Sequence, residues 1–360
     1  MFISLFSLKI ASILGIVAFN IIKFILNTAR FFSKLEMLNI IVVTPSILFI
    51  IFYYLCISLI FSSKFQSKLK YKIIFYLIII SFVFYILSNI IPRNFIEISA
   101  IDVGQGDSFL IETSKNKKIL IDGGGNENGS FDVGENILLP YLLNKGIKKV
   151  DIIIISHADT DHIDGLFEII KKIKVERVVI GKQFEVSENF EKLLRMVKEK
   201  NIKINIVEVG NKIFVEENLY LDILWPSSKY EIKENSLNNN SVVCKLYYND
   251  FSMLFTGDIE KIAEEQIVDL YKSGNNLSAT VLKVAHHGSK SSSTDEFVKL
   301  VKPEIVVMGV GKGNKYNHPN DEIIERFENL GVDIYRTDKD GEISIFVNEK
   351  GNVKVKRFID

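Results

Sequence analysis

The sequence predicts an α/β protein in two parts. A membrane region of two or three helices is expected over residues 1–92, and a layered fold of sheets covered by helices over residues 93–360. Three observations carry this expectation. Composition changes sharply near Pro92, short strands alternate with helices beyond it, and the residues with metal-binding chemistry sit where strands end. Residues 1–92 are dominated by Ile, Leu, Phe, Ser and Tyr, and their seven Lys, one Arg and single acid, Glu36, leave a net charge of +7. Residues 93–360 hold 36 basic and 43 acidic side chains, a net charge of −7. The zero total conceals two physically different halves.

In the first half, Leu38 to Phe61 and Ile73 to Ile91 are uncharged apolar runs. Each is long enough to span a bilayer core of about 30 Å. Pro45 lies near one end of the first run, where a span tolerates it. Phe2 to Phe31 is interrupted by Lys9, Asn20, Lys23 and Asn27, so it either spans or lies in the interface. A cleaved signal peptide is disfavoured by its length and by the absence of a clear small-residue cleavage site. The loop Ser62 to Lys72 carries Lys64, Lys68, Lys70 and Lys72 and no acid. Positive loops stay cytoplasmic, which places residues 93–360 on the outer face. Cys56 and Cys244 allow no disulfide framework in the second half, which holds one of them.

The second half opens with short strands Phe95 to Ile101, Ser108 to Thr113 and Lys118 to Ile121, separated by Gly/Asp and Lys/Asn turns. Asp132 to Asn144 reads as a helix stopped by Gly146. The apolar run Val150 to Ile155 reads as a buried strand, followed by a helix from Ile163 to Ile173. Strand Arg177 to Ile180, helix Ser187 to Lys200 and strands near 203–208 and 219–224 continue the pattern. Ser241 to Tyr248 and Phe251 to Phe255 form a hairpin across Asn249-Asp250. A helix begins near Ile259. Strand Thr280 to Ala285, helix Thr294 to Val301 and strand Glu304 to Met308 follow.

Between the strand Val150 to Ile155 and its helix lies His157-Ala-Asp159-Thr-Asp161-His162, four potential metal ligands in six residues. Two imidazoles and two carboxylates suit a pair of divalent cations. A polar loop that merely caps a helix with Thr160 or Asp161 does not need two histidines at this spacing. The chain has five histidines, and all fall in three short clusters after residue 156. Such clustering in a histidine-poor chain points to joint use.

Other clusters are weaker. Asp258, in Thr256-Gly257-Asp258, is a turn or cap by itself but a candidate bridging carboxylate beside a binuclear site. His286-His287-Gly288-Ser289 ends an apolar strand, and either imidazole is a candidate ligand. His318, before Pro319, is a candidate to hydrogen-bond a substrate phosphate or protonate a leaving group. Asp102-Val-Gly-Gln105-Gly-Asp107 and Asp122-Gly-Gly-Gly125 are glycine loops after strands, candidates to approach the metals or substrate closely, although tight turns alone account for their glycines.

The ordered set Asp102-Val-Gly-Gln-Gly-Asp107, Ile121-Asp122-Gly-Gly, His157-x-Asp-x-Asp-His162, Thr-Gly-Asp258, Leu282-Lys-Val-Ala-His-His-Gly-Ser289 and Asn-His318-Pro resembles the metallo-β-lactamase-type domain of the ComEC competence-protein family, over roughly residues 95–350. The resemblance implies an αββα metallo-β-lactamase sandwich with two divalent metal ions, Zn or Mn, at one edge. By position, His157 and Asp159 would hold one metal, Asp161 and His162 the other. Asp258 would bridge them, and His286 or His287 would complete the ligand set of the second metal. Asp159 stands where most of the wider superfamily has His, and no His lies between His162 and Asp258. Asn240, Ser241 or water is expected in that gap. Family members are also far longer than this chain.

The family is implicated in importing DNA across the bacterial cytoplasmic membrane, and its hydrolase domain is thought to degrade the strand left outside. The resemblance therefore implies a multi-pass inner-membrane nuclease with DNA as partner, with Asp161 and His318 as catalytic residues and other uptake subunits beside it. The competing expectations are a membrane-anchored hydrolase of another ester, such as a cell-wall phosphodiester or a lactone, and a non-catalytic channel subunit. The net acidic second half argues against a strong nucleic-acid binder, although Lys283, Lys290, Lys312 and Lys315 lie near the site motifs.

Overall fold

The computed structural model describes residues 8–33, 42–61, 68–88, 93–126, 129, 131–182, 186–272 and 277–359. The chain divides into two units, Met1–Val42 and Val43–Asp360. In the first unit, α1 (Leu8–Ser33) contains a 25-residue stretch long and apolar enough to cross a membrane. This is the segment whose Lys9 and Lys23 left spanning and interfacial placements open. In the second unit, α2 (Ile47–Ile60) starts later than the apolar run from Leu38 implies. Pro45 has no N–H to give, and the Ser46 side chain accepts from the Phe49 N–H at 3.2 Å to cap the helix. Residues 38–41 lie outside the described residues. At 1.5 Å per residue, the 14 residues of α2 reach about 21 Å, short of a bilayer core. The 20 residues of α3 (Leu69–Ser88) reach about 30 Å. Helices α2 and α3 pack through Phe52, stacked on Phe82 with centroids 4.0 Å apart.

From residue 95 the chain builds two sheets. The first collects β1 (Phe95–Ala100), β2 (Phe109–Glu112), β3 (Lys118–Ile121), β4 (Lys149–Ile155), β5 (Lys174–Gly181) and β6 (Lys203–Val207) in sequence order. The second collects β7 (Lys212–Glu216), β8 (Leu219–Trp225), β9 (Val243–Tyr248), β10 (Phe251–Phe255), β11 (Val281–Lys283), β12 (Ile305–Met308) and β13 (Asp333–Arg336), also in order. A C-terminal hairpin, β14 (Ile343–Asn348) and β15 (Val353–Arg357), returns to the first sheet, where β14 pairs antiparallel with β1 from Phe95↔Asn348 to Ala100↔Ile343.

The inner faces of both sheets share one apolar cluster, in which Ile98, Ile111, Ile152 and Ile345 meet Leu221, Leu246, Met253 and Val307. The outer face of the first sheet is covered by helices bearing Leu138, Leu166, Ile170, Phe190 and Leu193. The outer face of the second is covered through Ala263, Ile267, Phe297, Val301 and Phe327. The layers are therefore helix, sheet, sheet, helix, the αββα sandwich that was expected. The expected helix Asp132 to Asn144 opens as one π-helical turn, Gly134–Leu138, before its α-helical part, Leu139–Asn144. Pro140 supplies no N–H to the ladder there, and a widened turn accommodates the missing bond.

Strands β3, β4 and β5 run parallel, as do β10, β11, β12 and β13. The candidate residues follow the carboxyl ends of β3, β4, β10 and β11, so the chemistry gathers at one edge of the sandwich. That edge is where open parallel sheets place their ligands.

Candidate metal centre

Three imidazoles define the centre, and one pattern of partners orients all three. Asp122, just beyond β3, accepts from the Ser156 N–H at 2.8 Å, from the Ser156 hydroxyl at 2.6 Å and from His162 Nδ1 at 2.9 Å. Because the Ser156 hydroxyl donates to Asp122, its oxygen is left to accept from His157 Nδ1 at 2.9 Å. His287 Nδ1 donates to the Gly309 carbonyl at 2.8 Å. Each Nδ1 is thus spent on a donor role, which leaves Nε2 as the nitrogen that would ligate a metal, giving up its proton where it carries one. All three Nε2 atoms are buried and without a hydrogen-bond partner. Buried polar atoms are ordinarily paired, so three orphans in one place mark a ligand position.

Carboxylates surround these atoms. Asp258 Oδ2 lies 3.4 Å from His162 Nε2 and 3.2 Å from His287 Nε2. Asp161 Oδ2 lies 3.5 Å from His287 Nε2, and Asp159 Oδ2 lies 3.5 Å from His157 Nε2. Asp107, His162, Asp258 and His287 each offer one atom to a set in which all four lie within 4.8 Å of one another. These distances suit a shared divalent cation.

Electrostatics follow from the crowding. Burial alone lowers the pKa of His287, but Asp258 and Asp107 outweigh it and push the value up to about 10. Burial likewise opposes charge on His162, and Asp258 and Asp122 reverse that, holding its pKa well above the ordinary histidine value. Burial raises the carboxyl of Asp258, and the cations of His287, Lys283 and His162 overcome it and hold the carboxyl well below the usual range. A cavity that draws protons onto its imidazoles this strongly draws any cation. His318 behaves oppositely. Half-burial and the neighbouring His286 and His287 push its pKa down to about 4. At pH 7 it is a neutral imidazole, which suits the first of its two expected roles, hydrogen bonding to a phosphate.

The structure separates the adjacent histidines. The strand ends at Lys283, and both His286 (φ 50°) and His287 (φ 53°) adopt left-handed backbone in a tight turn. Two consecutive side-chain-bearing residues in that region store strain, as functional turns do. The turn aims His287 inward and leaves His286 outside the cluster, its Nδ1 3.4 Å from Glu260 Oε1 and its ring 5.7 Å from that of His318.

Asn240 is turned away from the gap before Asp258, its Nδ2 donating to the Ile232 and Ser236 carbonyls at 2.8 and 2.7 Å and its Oδ1 accepting from the Ile232 N–H at 3.4 Å. Ser241 stands closer, its Oγ accepting from the Asp258 N–H at 3.3 Å. The glycine loops have a specific purpose. A Cβ on Gly106 (φ +125°) would lie 2.2 Å from the Asp161 carbonyl oxygen, and one on Gly125 would lie 2.0 Å from that of Thr160. Both loops press on the backbone that presents the ligands.

Three residues were missed as parts of the centre: Asp107, Asp122 and Lys283. The two acids were visible in the loops Gly106-Asp107 and Asp122-Gly123, which were read as candidates to approach the metals, without either acid being assigned to the centre. Lys283 was read as a cation near DNA. It is buried, ion-paired with Asp107 and Asp258 (3.1 Å to the latter's Oδ1) and hydrogen-bonded to the Gly257 carbonyl at 2.7 Å. A lysine inside the apolar run Val281 to Ala285 was the readable signal, since a lysine on a buried strand demands partners.

A sandwich with a His/Asp cluster at this edge is the architecture of a metal-dependent hydrolase. The metallo-beta-lactamase superfamily matches residues 101–311, and the chain belongs to that superfamily. Within it, the chain is similar to competence proteins. It is 34% identical over 271 residues to ComE operon protein 3 of Bacillus subtilis, covering 72% of this chain and 34% of that protein. It is 29% identical over 267 residues to Competence protein ComA of Neisseria gonorrhoeae, covering 74% and 34%. It is 26% identical over 249 residues to Recombination protein 2 of Haemophilus influenzae, covering 69% and 28%. The resemblance to the ComEC family is borne out by these relatives, and the chain spans about a third of their length.

Proposed function

We propose that the chain is a membrane-anchored hydrolase of DNA phosphodiesters that works with two divalent cations, Zn or Mn, during DNA uptake. The observation that carries this reading is the set of three orphaned Nε2 atoms facing carboxylates, those of His162 and His287 beside Asp258 and Asp161 and that of His157 beside Asp159. Charge supports a pair of cations. Asp107, Asp122, Asp159, Asp161 and Asp258 with Lys283 leave four formal negative charges, the charge that two divalent cations carry.

In this reading His157 and Asp159 would hold one cation, Asp161, His162 and His287 the other, and Asp258 would serve both. Bound there, such a pair supplies a water activated near neutral pH and a clamp for the displaced oxygen. The protein's own groups do the rest. Asp122 and the Gly309 carbonyl hold the imidazoles in the required tautomer, and Lys283 fixes the rotamer of Asp258. His318, neutral, stands beside His286 to hydrogen-bond a phosphate oxygen. The similarity to competence proteins favours DNA at an inner-membrane surface, and the Lys-rich loop Ser62 to Lys72 favours the outer face. A multi-pass anchor and further uptake subunits belong to the same reading.

The test is cleavage of linear DNA by the full chain in detergent with Mn²⁺ or Zn²⁺. Asp161→Ala is expected to lose at least about a hundredfold in rate and to lose bound metal. Full cleavage by the variant removes the site assignment. Two bound metals without DNA cleavage move the substrate to another ester.

A further inference from the structure

We propose that the groove beside Asp161 seats one nucleotide of a single strand. This rests on the hydrolase reading of the adjoining centre and names how that site would take its substrate. The groove is a cavity of about 500 Å³ whose wall includes Asp161, Gln105, Phe131, Lys312, Lys315 and Tyr316. A volume of about 300–1,000 Å³ is what a small-molecule site occupies, and one nucleotide falls within it. The groove is continuous with the metal cluster through Asp161, whose Oδ2 is 3.5 Å from His287 Nε2. A chain lying in it would run directly to the reacting phosphate.

Its chemistry is unlike that of the rest of the domain. Residues 93–360 are net acidic, yet among the described residues of this wall Asp161 is the one acid, against Lys312 and Lys315. Phe131 and Tyr316 are 44% and 39% exposed at the rim of the groove, and Lys315 Nζ lies 4.8 Å over the Tyr316 ring. Cations for the backbone and rings for the bases are the two requirements of single-strand binding. A duplex hides its base faces and has no use for the rings.

The loop carrying these groups is built, not slack. The Asn314 side chain donates to the Gly311 and His318 carbonyls at 3.0 and 2.6 Å and accepts from the Tyr316 and His318 N–H groups at 3.1 and 3.0 Å. Gln105 Oε1 accepts from the Gly311 N–H at 3.1 Å and ties the loop to the centre. Tyr316 in turn stacks on His318, centroids 5.7 Å apart and planes 20° from parallel. One side chain thus holds the base-stacking ring and the phosphate-facing imidazole in fixed relation.

The experiment uses the full metal-loaded chain in detergent. A cleavage-resistant phosphorothioate oligothymidylate reports binding by fluorescence anisotropy, and bis-p-nitrophenyl phosphate, too small to need the groove, reports turnover. Phe131→Ala is expected to weaken binding about tenfold. Lys312→Ala with Lys315→Ala is expected to weaken it similarly and to reduce the salt slope by about 1.4. Both variants should keep small-diester turnover within about twofold of wild type. Unchanged oligonucleotide binding beside intact turnover overturns the groove and leaves the hydrolase reading standing. Loss of both activities assigns the loop to support of the metal centre and also overturns the groove. Wild-type protein that binds the strand but turns over no diester overturns the hydrolase reading instead. Duplex bound as tightly as single strand overturns the role of the rings.

Discussion

Asp122→Asn tests the logic of the centre because it changes no group that would touch a metal. The carboxylate accepts three hydrogen bonds, two from Ser156 and one from His162. Asparagine keeps the shape, and its backbone suits the position, since Asp122 has φ 58° and Asn tolerates that region well. The amide has one acceptor oxygen. If that oxygen takes the Ser156 N–H, the NH₂ group faces the two donors that Oδ2 served, the Ser156 hydroxyl and His162 Nδ1. The Ser156 hydroxyl can turn to accept from the amide, but it then competes for the role His157 Nδ1 needs. His162 is left with the Ser156 Oγ alone, at 3.4 Å and shared with His157, and is freer to flip or change tautomer.

Losing one hydrogen bond to a charged partner costs about 1.5–3 kcal/mol. Losing the partner that orients a metal-bound histidine typically costs about 10–100-fold in affinity, which is about 1.4–2.7 kcal/mol. The two routes agree. The assay is competition with a chelating dye, with metal per chain counted after dialysis. The expected result is affinity weaker by about 10–100-fold in a protein that still melts cooperatively. Affinity within twofold of wild type would mean that His162 does not hold a metal through Nε2, and the reasoning from tautomers would fail.

Three further outcomes follow from the same geometry. His287→Ala should reduce bound metal from about two to about one per chain, while His286→Ala retains both, because only His287 reaches Asp258 (3.2 Å); equal losses by elemental analysis would contradict this. Chelation should lower the melting temperature, since metal at about a thousand times its Kd adds about 4 kcal/mol and each kcal/mol shifts a domain of this size by about 2–4 °C; a melt indifferent to metal would deny preferential binding to the fold. Away from the site, Glu112 is paired with Lys118 at 2.7 Å and Lys145 at 3.1 Å. Burial raises its pKa, but the two lysines prevail and hold it below the ordinary 4.5. A depressed carboxyl stabilises the fold above its unfolded pKa and loses that contribution as pH falls through the folded value. Glu112→Gln should therefore show a flatter stability profile than wild type below about pH 4.5, and identical acid profiles would refute the pairing.

Much of the first sheet was legible because its strands are continuous apolar runs with Gly and Asp at their ends. Lys118–Ile121 has the predicted bounds and Lys149–Ile155 differs by one residue. Strand β7 and the C-terminal β13, β14 and β15 were not predicted. The last two alternate as Ile-Ser-Ile-Phe-Val and Val-Lys-Val-Lys across a Lys-Gly turn, a pattern that reads as a hairpin. Its partner was not readable, since β14 joins a strand some 250 residues earlier, and no local rule selects that neighbour. At the site, ligand identity was written in spacing, but orientation was not. Which of two adjacent histidines turns inward depends on a left-handed turn that neither side chain announces. Asp122 and Lys283 escaped notice because their roles exist only when strands distant in sequence lie side by side.

The acidic balance of residues 93–360 looked like an argument against a polyanionic substrate, and the structure shows why the average misleads. A large share of the negative charge near the edge is not on the surface. Asp107, Asp122 and Asp258 are buried, along with Lys283, and are committed to one another or to the cations the centre would hold. Net charge governs long-range steering, whereas a strand in the groove meets charges within a Debye length of about 8 Å. Over that range the lysines of the 311–316 loop set the field together with a centre that the cations bring to neutrality. Under the proposed function, the cost of an acidic surface falls on the rate of encounter, which an anchored enzyme handed its strand by other subunits would not have to optimise. A low affinity for free DNA beside a measurable rate on DNA delivered at the bilayer is the combination this arrangement predicts. Raising salt should then weaken groove binding modestly, through two lysines, instead of abolishing it as in a protein that grips many phosphates.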